Sequence, residues 1–131
     1  MIGLDTNILV RYFIKDDPEQ TRLAINLIYS LSPTEPGWIG LACFMELDWV
    51  LNNVLKVKKD RVVEIFDKLL AGRDLVVENA EAIREALHLY RFRNTDFSDC
   101  LIAASARAAG CSRTVTFDRI AARDAGMELL G

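Results

Sequence analysis

Four acidic residues are the side chains in this sequence best suited to chemistry, and long stretches of chain separate them: Asp5, Glu46, Asp99 and Asp118. Two of them directly follow short runs of strand-forming residues, and the other two lie among apolar or small residues at helical spacing. A carboxylate on an apolar face is costly unless something pairs with it. Carboxylate oxygens completed by water suit Mg²⁺ or Mn²⁺ better than zinc. We therefore interpret the four acids as candidate ligands of a divalent metal.

Helix capping is the alternative explanation for three of these acids. Asp5 and Asp118 both stand where an N-cap residue is expected, although Asn7 is a second candidate cap for the first helix. Asp96 followed by Asp99 fits an N-cap and an acid in the first turn, both favoured by the helix dipole. The sequence leaves capping and metal binding open at each of these positions.

Glu46 is the acid that capping explains least. Its own alternative is a position at the edge of a buried stripe, with the carboxylate in water. All four acids map to one edge of the predicted sheet, at the carboxyl ends of its strands, where open α/β sheets bind their ligands. Like charges about 4 Å apart repel by ~4 kcal/mol at an intermediate dielectric, so such a cluster calls for protons or a cation. Thr116 and Asn7 are candidates to hydrogen-bond the carboxylates.

Other catalytic chemistries find little support. With His88 as its one histidine, the chain has no pair of histidines for a ribonuclease mechanism. The serines lack a base and a nucleophile-elbow context, and no glycine-rich phosphate loop is present. The three cysteines form neither a disulfide framework nor a zinc pattern, and they favour a reducing cytoplasm: Cys43, Cys100 and Cys111.

Composition places the chain among ordinary globular domains. Its 131 residues, 51% of them hydrophobic, predict one domain spanning residues 1–131 with a single core. The formal charge of -3 does not indicate a nucleic-acid-binding protein, since such proteins often carry a basic excess. A local basic patch or a bound metal can nevertheless bind phosphate. The N-terminus does not resemble a secretion signal, and no apolar run reaches the roughly 20 residues that span a bilayer.

The elements that must position the acids alternate between short strands and helices. Strands are predicted at residues 2–4, 38–39, 75–77, 114–117 and 127–130. Helices are predicted to follow Asp17 and Asn79 as N-caps, to cover residues 41–55, 97–109 and 119–125, and to run from an Asp60 cap to Gly72. This alternation predicts an α/β fold with a parallel sheet and helices on both faces.

Four segments of the chain together resemble the PIN-domain ribonucleases: MIGLDTNILVRYF, the Glu46 helix, NTDFSDCLIAASARAAGC and TVTFDR. More narrowly, they resemble the VapC-type toxins of bacterial and archaeal toxin–antitoxin pairs. The resemblance covers nearly the whole chain in the right order and spacing. The DTN motif alone would be weak evidence for this family, whereas the combination of all four segments is specific to it.

The resemblance implies a site and an architecture. The family's acidic quartet falls on the four acids named above, with Asp5 and Asp99 as direct metal ligands and Glu46 and Asp118 binding directly or through water. Supporting polar residues fall on Thr116, on Thr6 or Asn7, and on Asp96 as an auxiliary acid. The implied fold is PIN-like: three α/β/α layers around a central five-stranded parallel sheet of order 3-2-1-4-5. The segment 119–125 does not carry the further acid of some members at its expected position, although Asp124 is near.

The resemblance also implies an activity and partners. It implies a cytoplasmic homodimer that hydrolyses RNA with Mg²⁺ or Mn²⁺ and is inhibited by a cognate antitoxin. The basic residues that we interpret as candidate RNA contacts are Arg11, Lys15, Arg91 and Arg93. The lysine-rich segment 56–61 is more readily explained as a solvated face.

Two rival functions fit the sequence less well. A phosphatase using Asp5 as nucleophile would need a second aspartate two positions later, where this chain has Asn7. A non-catalytic module with a structural metal would have no need of four converging acids.

Overall fold

The computed structural model describes residues 1–131, and the chain divides into two compact units, residues 1–78 and 79–131. In both units parallel strands alternate with helices, which confirms the predicted α/β class. None of the helices is long and apolar enough to cross a membrane. The single domain of residues 1–131 stays a prediction.

The first unit contains three strands, four helices and one π-helical turn. In chain order they are β1 (Ile2–Gly3), α1 (Thr6–Ile14), α2 (Pro18–Ser30), β2 (Gly37–Ile39), α3 (Leu41–Trp49), the π-helical turn (Val50–Val54), α4 (Lys59–Ala71) and β3 (Leu75–Val77). The second unit contains α5 (Ala80–Phe92), α6 (Phe97–Ala108), β4 (Val115–Thr116), α7 (Arg119–Asp124) and β5 (Glu128–Leu129).

The strands form two parallel ladders. In the first unit β2 lies between β1 and β3, with Gly37 opposite both Ile2 and Leu75. In the second unit β4 pairs with β5, with Val115 opposite Glu128. The predicted order 3-2-1-4-5 is therefore found as two partial orders, 3-2-1 and 4-5, rather than as the one sheet of five strands that was predicted. Strands of two or three residues make few ladder hydrogen bonds, so a short strand is easily left out of a larger sheet.

Helices α6 and α7 each end one residue before their predicted end, and two other helices differ from the predictions in other ways. The helix predicted over residues 41–55 is α-helical only to Trp49 and continues as the π-helical turn. Helix α4 begins one residue before Asp60, with Lys58 at the N-cap. The Asp60 carboxylate instead accepts a 2.9 Å hydrogen bond from the backbone N–H of Arg61 within the first turn. An acid in the first turn and an acid at the cap are favoured by the same dipole, so sequence separates them poorly.

The first unit has a core of aliphatic and aromatic side chains. Phe44 and Phe66, both fully buried, meet edge to face with ring centroids 5.4 Å apart. Leu9 of α1, Leu47 of α3 and Ile65 of α4 are also fully buried. These contacts hold α1 and α3 in place, and those two elements carry the acids of this unit.

The second unit is built around α5 and α6. Tyr90 and Phe97 are buried and meet edge to face at 5.8 Å. Apart from Phe97 and Leu101, the buried residues of α6 are small: Cys100, Ala103 and Ala104 are all inaccessible to water. Small side chains let helices approach closely, which explains the alanine-rich sequence of this helix.

Candidate active site

Asp5 lies at the carboxyl end of β1 and is the N-cap of α1. Its Oδ1 atom accepts a 2.7 Å hydrogen bond from the backbone N–H of Thr6. The hydrogen bonds between β1 and β2 continue to Leu4, whose N–H donates to the carbonyl of Trp38 at 2.9 Å. Asp5 therefore directly follows a residue that is hydrogen-bonded to the neighbouring strand. The capping interpretation of Asp5 is therefore confirmed. A carboxylate has about four lone-pair positions, so one capping bond leaves it able to bind a cation.

Glu46 lies in α3, and its side chain is exposed. The interpretation of a carboxylate confined to an apolar face is wrong, because this glutamate lies on an open side of the helix. Leu47 and Asp48, the next two residues, face the interior instead. The structure matches the alternative explanation, in which the carboxylate is in water.

Asp5 and Glu46 line one open cavity of about 550 Å³ in the first unit. Its wall is completed by Thr6, Asn7, Val10, Arg11, Asp16, Val50, Val54 and Leu55. Two acids 41 positions apart in sequence thus face the same space. An acidic cavity open to solvent can admit a hydrated cation together with a substrate.

Thr6 connects the start of α1 to α3. It is almost fully buried, and its hydroxyl donates to the Cys43 sulfur at 3.5 Å. Burial raises the pKa of the Cys43 thiol, and the charges of Asp5 and Glu46 raise it further, while the Thr6 hydrogen bond opposes the shift. Cys43 is therefore a half-buried thiol in contact with Thr6, with little tendency to ionise.

Glu78 helps to fix the start of α3, and the sequence alone did not indicate this role. Helix α3 begins after Gly40, which has no side chain to cap it. The Glu78 carboxylate, directly after β3, accepts a 2.7 Å hydrogen bond from the backbone N–H of Leu41 and caps the helix instead. The one available signal was a glycine at a helix start, because it leaves the first N–H groups without a local partner.

The second unit contains its own group of acids. Asp96 is the N-cap of α6, and Asp99 lies in the first turn of that helix. Partial burial raises the pKa of Asp99, and the charges of Asp96 and Asp118 raise it further. The three carboxylates are thus close enough to repel one another, and a cation would relieve that repulsion.

Asp118 is the N-cap of α7. Its Oδ1 atom accepts hydrogen bonds from the N–H groups of Ile120, at 2.8 Å, and Ala121, at 3.0 Å. Its own N–H donates to the Thr116 hydroxyl at 3.0 Å. Thr116 therefore contacts the backbone of Asp118, and the predicted hydrogen bond to a carboxylate is not the one that forms. Thr116 orients the acid by fixing the turn that carries it.

The remaining candidates have varied surroundings. Arg11 lines the cavity of Asp5 and Glu46, whereas Lys15 is the exposed, left-handed residue that ends α1. Arg93 donates to the carbonyl of Arg123 at 3.5 Å. Asp124 accepts two hydrogen bonds from Arg123, which lower its pKa, so this carboxylate is already neutralised by an adjacent guanidinium.

Substituting Asp99 tests the repulsion in the second unit. Since the pKa of Asp99 is higher in the folded chain than in the unfolded one, the native state binds this proton more tightly. Ionised Asp99 therefore destabilises the native state. This destabilisation is absent below the unfolded pKa of Asp99 and fully present above its folded pKa. We expect metal-free Asp99→Asn to be more stable than wild type at neutral pH and equally stable in acid. Thermal unfolding in EDTA across this pH range measures the difference, and a less stable variant at pH 7 contradicts it.

The donors present are chemically suited to a hard divalent cation. All are carboxylate, hydroxyl or amide oxygens, as Mg²⁺ and Mn²⁺ prefer. The structure nevertheless shows no group of three or more His, Cys, Asp or Glu side chains placed to hold a metal.

Comparison with known proteins identifies the class to which this fold and these acids belong. The family model described as the PIN domain matches residues 2–126, and the chain belongs to that family. Among curated proteins, the chain is similar to a VapC ribonuclease of Aquifex aeolicus (strain VF5). The two are 28% identical over 117 residues, which cover 88% of this chain and 86% of the relative. Both levels of the resemblance seen in the sequence are confirmed.

Proposed function

We propose that this protein is a metal-dependent endoribonuclease, the toxin of a toxin–antitoxin pair. The observation that carries the proposal is that Asp5 and Glu46, two acids of the family's quartet, line one open cavity. The similarity to a VapC ribonuclease supports RNA as the substrate. The absence of a second histidine leaves carboxylates as the groups available for hydrolysis.

The proposed metal site is shared by Asp5, Glu46, Asp99 and Asp118. The structure shows no group of three or more His, Cys, Asp or Glu side chains placed to hold a metal, so this set of four is supported by the family resemblance. Asp5 and Asp99 are the proposed direct ligands, with Glu46 and Asp118 binding directly or through water. A bound Mg²⁺ or Mn²⁺ would act as a Lewis acid and lower the pKa of a water molecule.

The chain's own residues have separate tasks in this mechanism. Glu46, being exposed at the cavity wall, accepts the proton of the attacking water. Thr6 holds the start of α1 against Cys43, so that Asp5 keeps its place relative to α3. Glu78 fixes the beginning of the helix that carries Glu46. Each of these contacts limits movement of an acid that must act at a defined position.

The family resemblance supports further features of the proposal. These are a continuous sheet of order 3-2-1-4-5 in a single domain, a homodimer, and inhibition by a cognate antitoxin. The three cysteines, all without disulfides, support a reducing cytoplasm as the place of action. Isolation of the dimer and of its complex with the product of the adjacent open reading frame would test these features.

Incubation of a mixed RNA pool with the purified protein tests the central proposal. We expect internal cleavage with Mg²⁺ or Mn²⁺ and none in excess EDTA, because the carboxylates alone cannot activate water. Restoring the metal to the EDTA-treated sample should restore cleavage and exclude denaturation. Cleavage that persists in EDTA would contradict metal dependence, and absence of cleavage with either metal would favour a non-catalytic binding module.

A further inference from the structure

The cavity that contains Asp5 and Glu46 extends well beyond these acids. Its other lining residues include one arginine, paired with an aspartate, and four aliphatic side chains. A metal site needs neither feature. The volume of about 550 Å³ is also large for a hydrated ion and falls in the range of pockets that bind organic ligands.

Helix α1 forms one side of the cavity and places Arg11 at a defined distance from Asp5. Asn7 and Arg11, one helical turn apart, both line the cavity, as does Val10. Arg11 lies six positions after Asp5, which corresponds to a rise of about 9 Å along the helix axis. A nucleotide unit with its phosphates is long enough to span that separation.

Arg11 is held in place before any ligand binds. Its Nε atom donates to Gln20 at 2.8 Å, and its Nη1 atom donates to Asp16 at 3.0 Å. Its side chain is only 28% exposed. An arginine has five N–H donors in a planar fork, so these two bonds leave others to contact an anion. A guanidinium held in this way loses little entropy when it binds.

Another part of the cavity wall is apolar and comes from the π-helical turn that follows α3 and from Leu55. Val50 lies one turn beyond Glu46, and Val54 lies one turn further. The wider π-helical turn closes with a 2.9 Å bond from the N–H of Leu55 to the carbonyl of Val50, so that Val54 and Leu55 both reach the cavity. Val54 is 55% exposed, an unusual position for an aliphatic side chain beside two acids. π-helical turns are frequent at functional sites.

We propose that this part of the cavity is a subsite for one nucleotide of single-stranded RNA next to the cleaved bond. The base packs on Val50, Val54 and Leu55, and a flanking phosphate binds Arg11. An unstacked base offers a flat apolar face to such a wall, as in enzymes that bind an extruded base between apolar side chains. This inference rests on the proposed function, since it names how the substrate of the same site is held.

Binding of two probes of equal length and charge tests the subsite. One is a short single-stranded RNA of mixed sequence, and the other is its abasic ribose-phosphate counterpart. Binding is measured in EDTA at low ionic strength, so that no cleavage occurs. We expect Val54→Ser to weaken binding of the RNA about fivefold, the worth of one to two buried methyl groups, and to leave the abasic probe unchanged. We expect Arg11→Gln to weaken both probes, by tenfold or more for a charged hydrogen bond.

Matched controls come from residues outside the cavity. Val76 is a valine of similar exposure in β3, and Arg22 is bonded to an acid on α2 much as Arg11 is bonded to Asp16. Val76→Ser and Arg22→Gln should change neither affinity. Thermal unfolding of each variant establishes that it is folded, and Arg11→Lys separates loss of charge from loss of the planar fork.

The possible outcomes separate this inference from the proposed function. If the wild type binds both probes as expected but cleaves no RNA with Mg²⁺ or Mn²⁺, the subsite is supported and the proposed enzymatic activity is contradicted. Equal effects of Val54→Ser on the two probes, or no effect on either, overturn the subsite even if the protein cleaves RNA. Unchanged binding by Arg11→Gln likewise overturns it.

Discussion

Asp5→Asn is expected to reduce RNA cleavage at least about 100-fold, because loss of a supporting hydrogen bond to a ligand already costs 10- to 100-fold in such sites. The substitution replaces a charged oxygen ligand by a neutral amide and weakens the attraction for a divalent cation. It should leave the fold unchanged, since asparagine is as good an N-cap as aspartate and can still accept the bond from the N–H of Thr6. Single-turnover cleavage in saturating Mg²⁺ measures the effect.

Asp17→Asn is the matched control for Asp5→Asn. Asp17 is also an N-cap, with its Oδ1 atom 3.0 Å from the backbone nitrogen of Gln20, but it does not line the cavity of Asp5. We expect Asp17→Asn to cleave RNA as wild type does and both variants to unfold within a few degrees of wild type. Full cleavage by Asp5→Asn would remove this acid from the mechanism. Equal loss in both variants would attribute the effect to helix capping.

Phe66→Ala is expected to lower the free energy of unfolding by about 3–5 kcal/mol, the usual cost of removing a buried phenylalanine side chain. Phe66 is inaccessible to water and meets Phe44 edge to face, so the substitution leaves a cavity beneath α3 and α4. Since small domains are stable by roughly 5–15 kcal/mol, this is a large share of the total. Urea unfolding measured by circular dichroism gives the change.

Phe92→Ala removes the same side chain from an exposed position. Phe92 is 70% exposed and makes one edge-to-face contact with His88. Substitutions of this kind usually change stability by less than about 0.5 kcal/mol. A comparable loss in the two variants would mean that Phe66 does not lie in a close-packed core.

Local signals in the sequence predicted most elements of the fold correctly. Asp17 followed by Pro18 marks the start of α2, and Asn79 stands at the start of α5. These signals act within one turn of the chain, where capping bonds and allowed backbone angles depend on nearest neighbours. Each predicted strand is found within about two residues of its expected bounds. Short apolar runs between helices are typical of buried strands.

Tertiary contacts decided what local signals could not. The change from α-helix to π-helix at Val50 has no clear sequence mark, and the apolar spacing continues smoothly through it. The cap of α3 by Glu78 joins residues 37 positions apart. The exposure of Glu46 also depends on what packs against α3, since the sequence shows only which neighbours share its face.

The sequence by itself predicts carboxylate chemistry, because it supplies four candidate acids and lacks a second histidine, a zinc pattern and a phosphate loop. It also determined the starts of the helices that carry Asp5 and Asp118. Only the tertiary structure decided that Asp5 and Glu46 face one cavity, with Arg11 and an aliphatic wall beside them. The physical reason is range: a cap is set by atoms a few bonds away, whereas a cavity is set by the packing of helices distant in the chain.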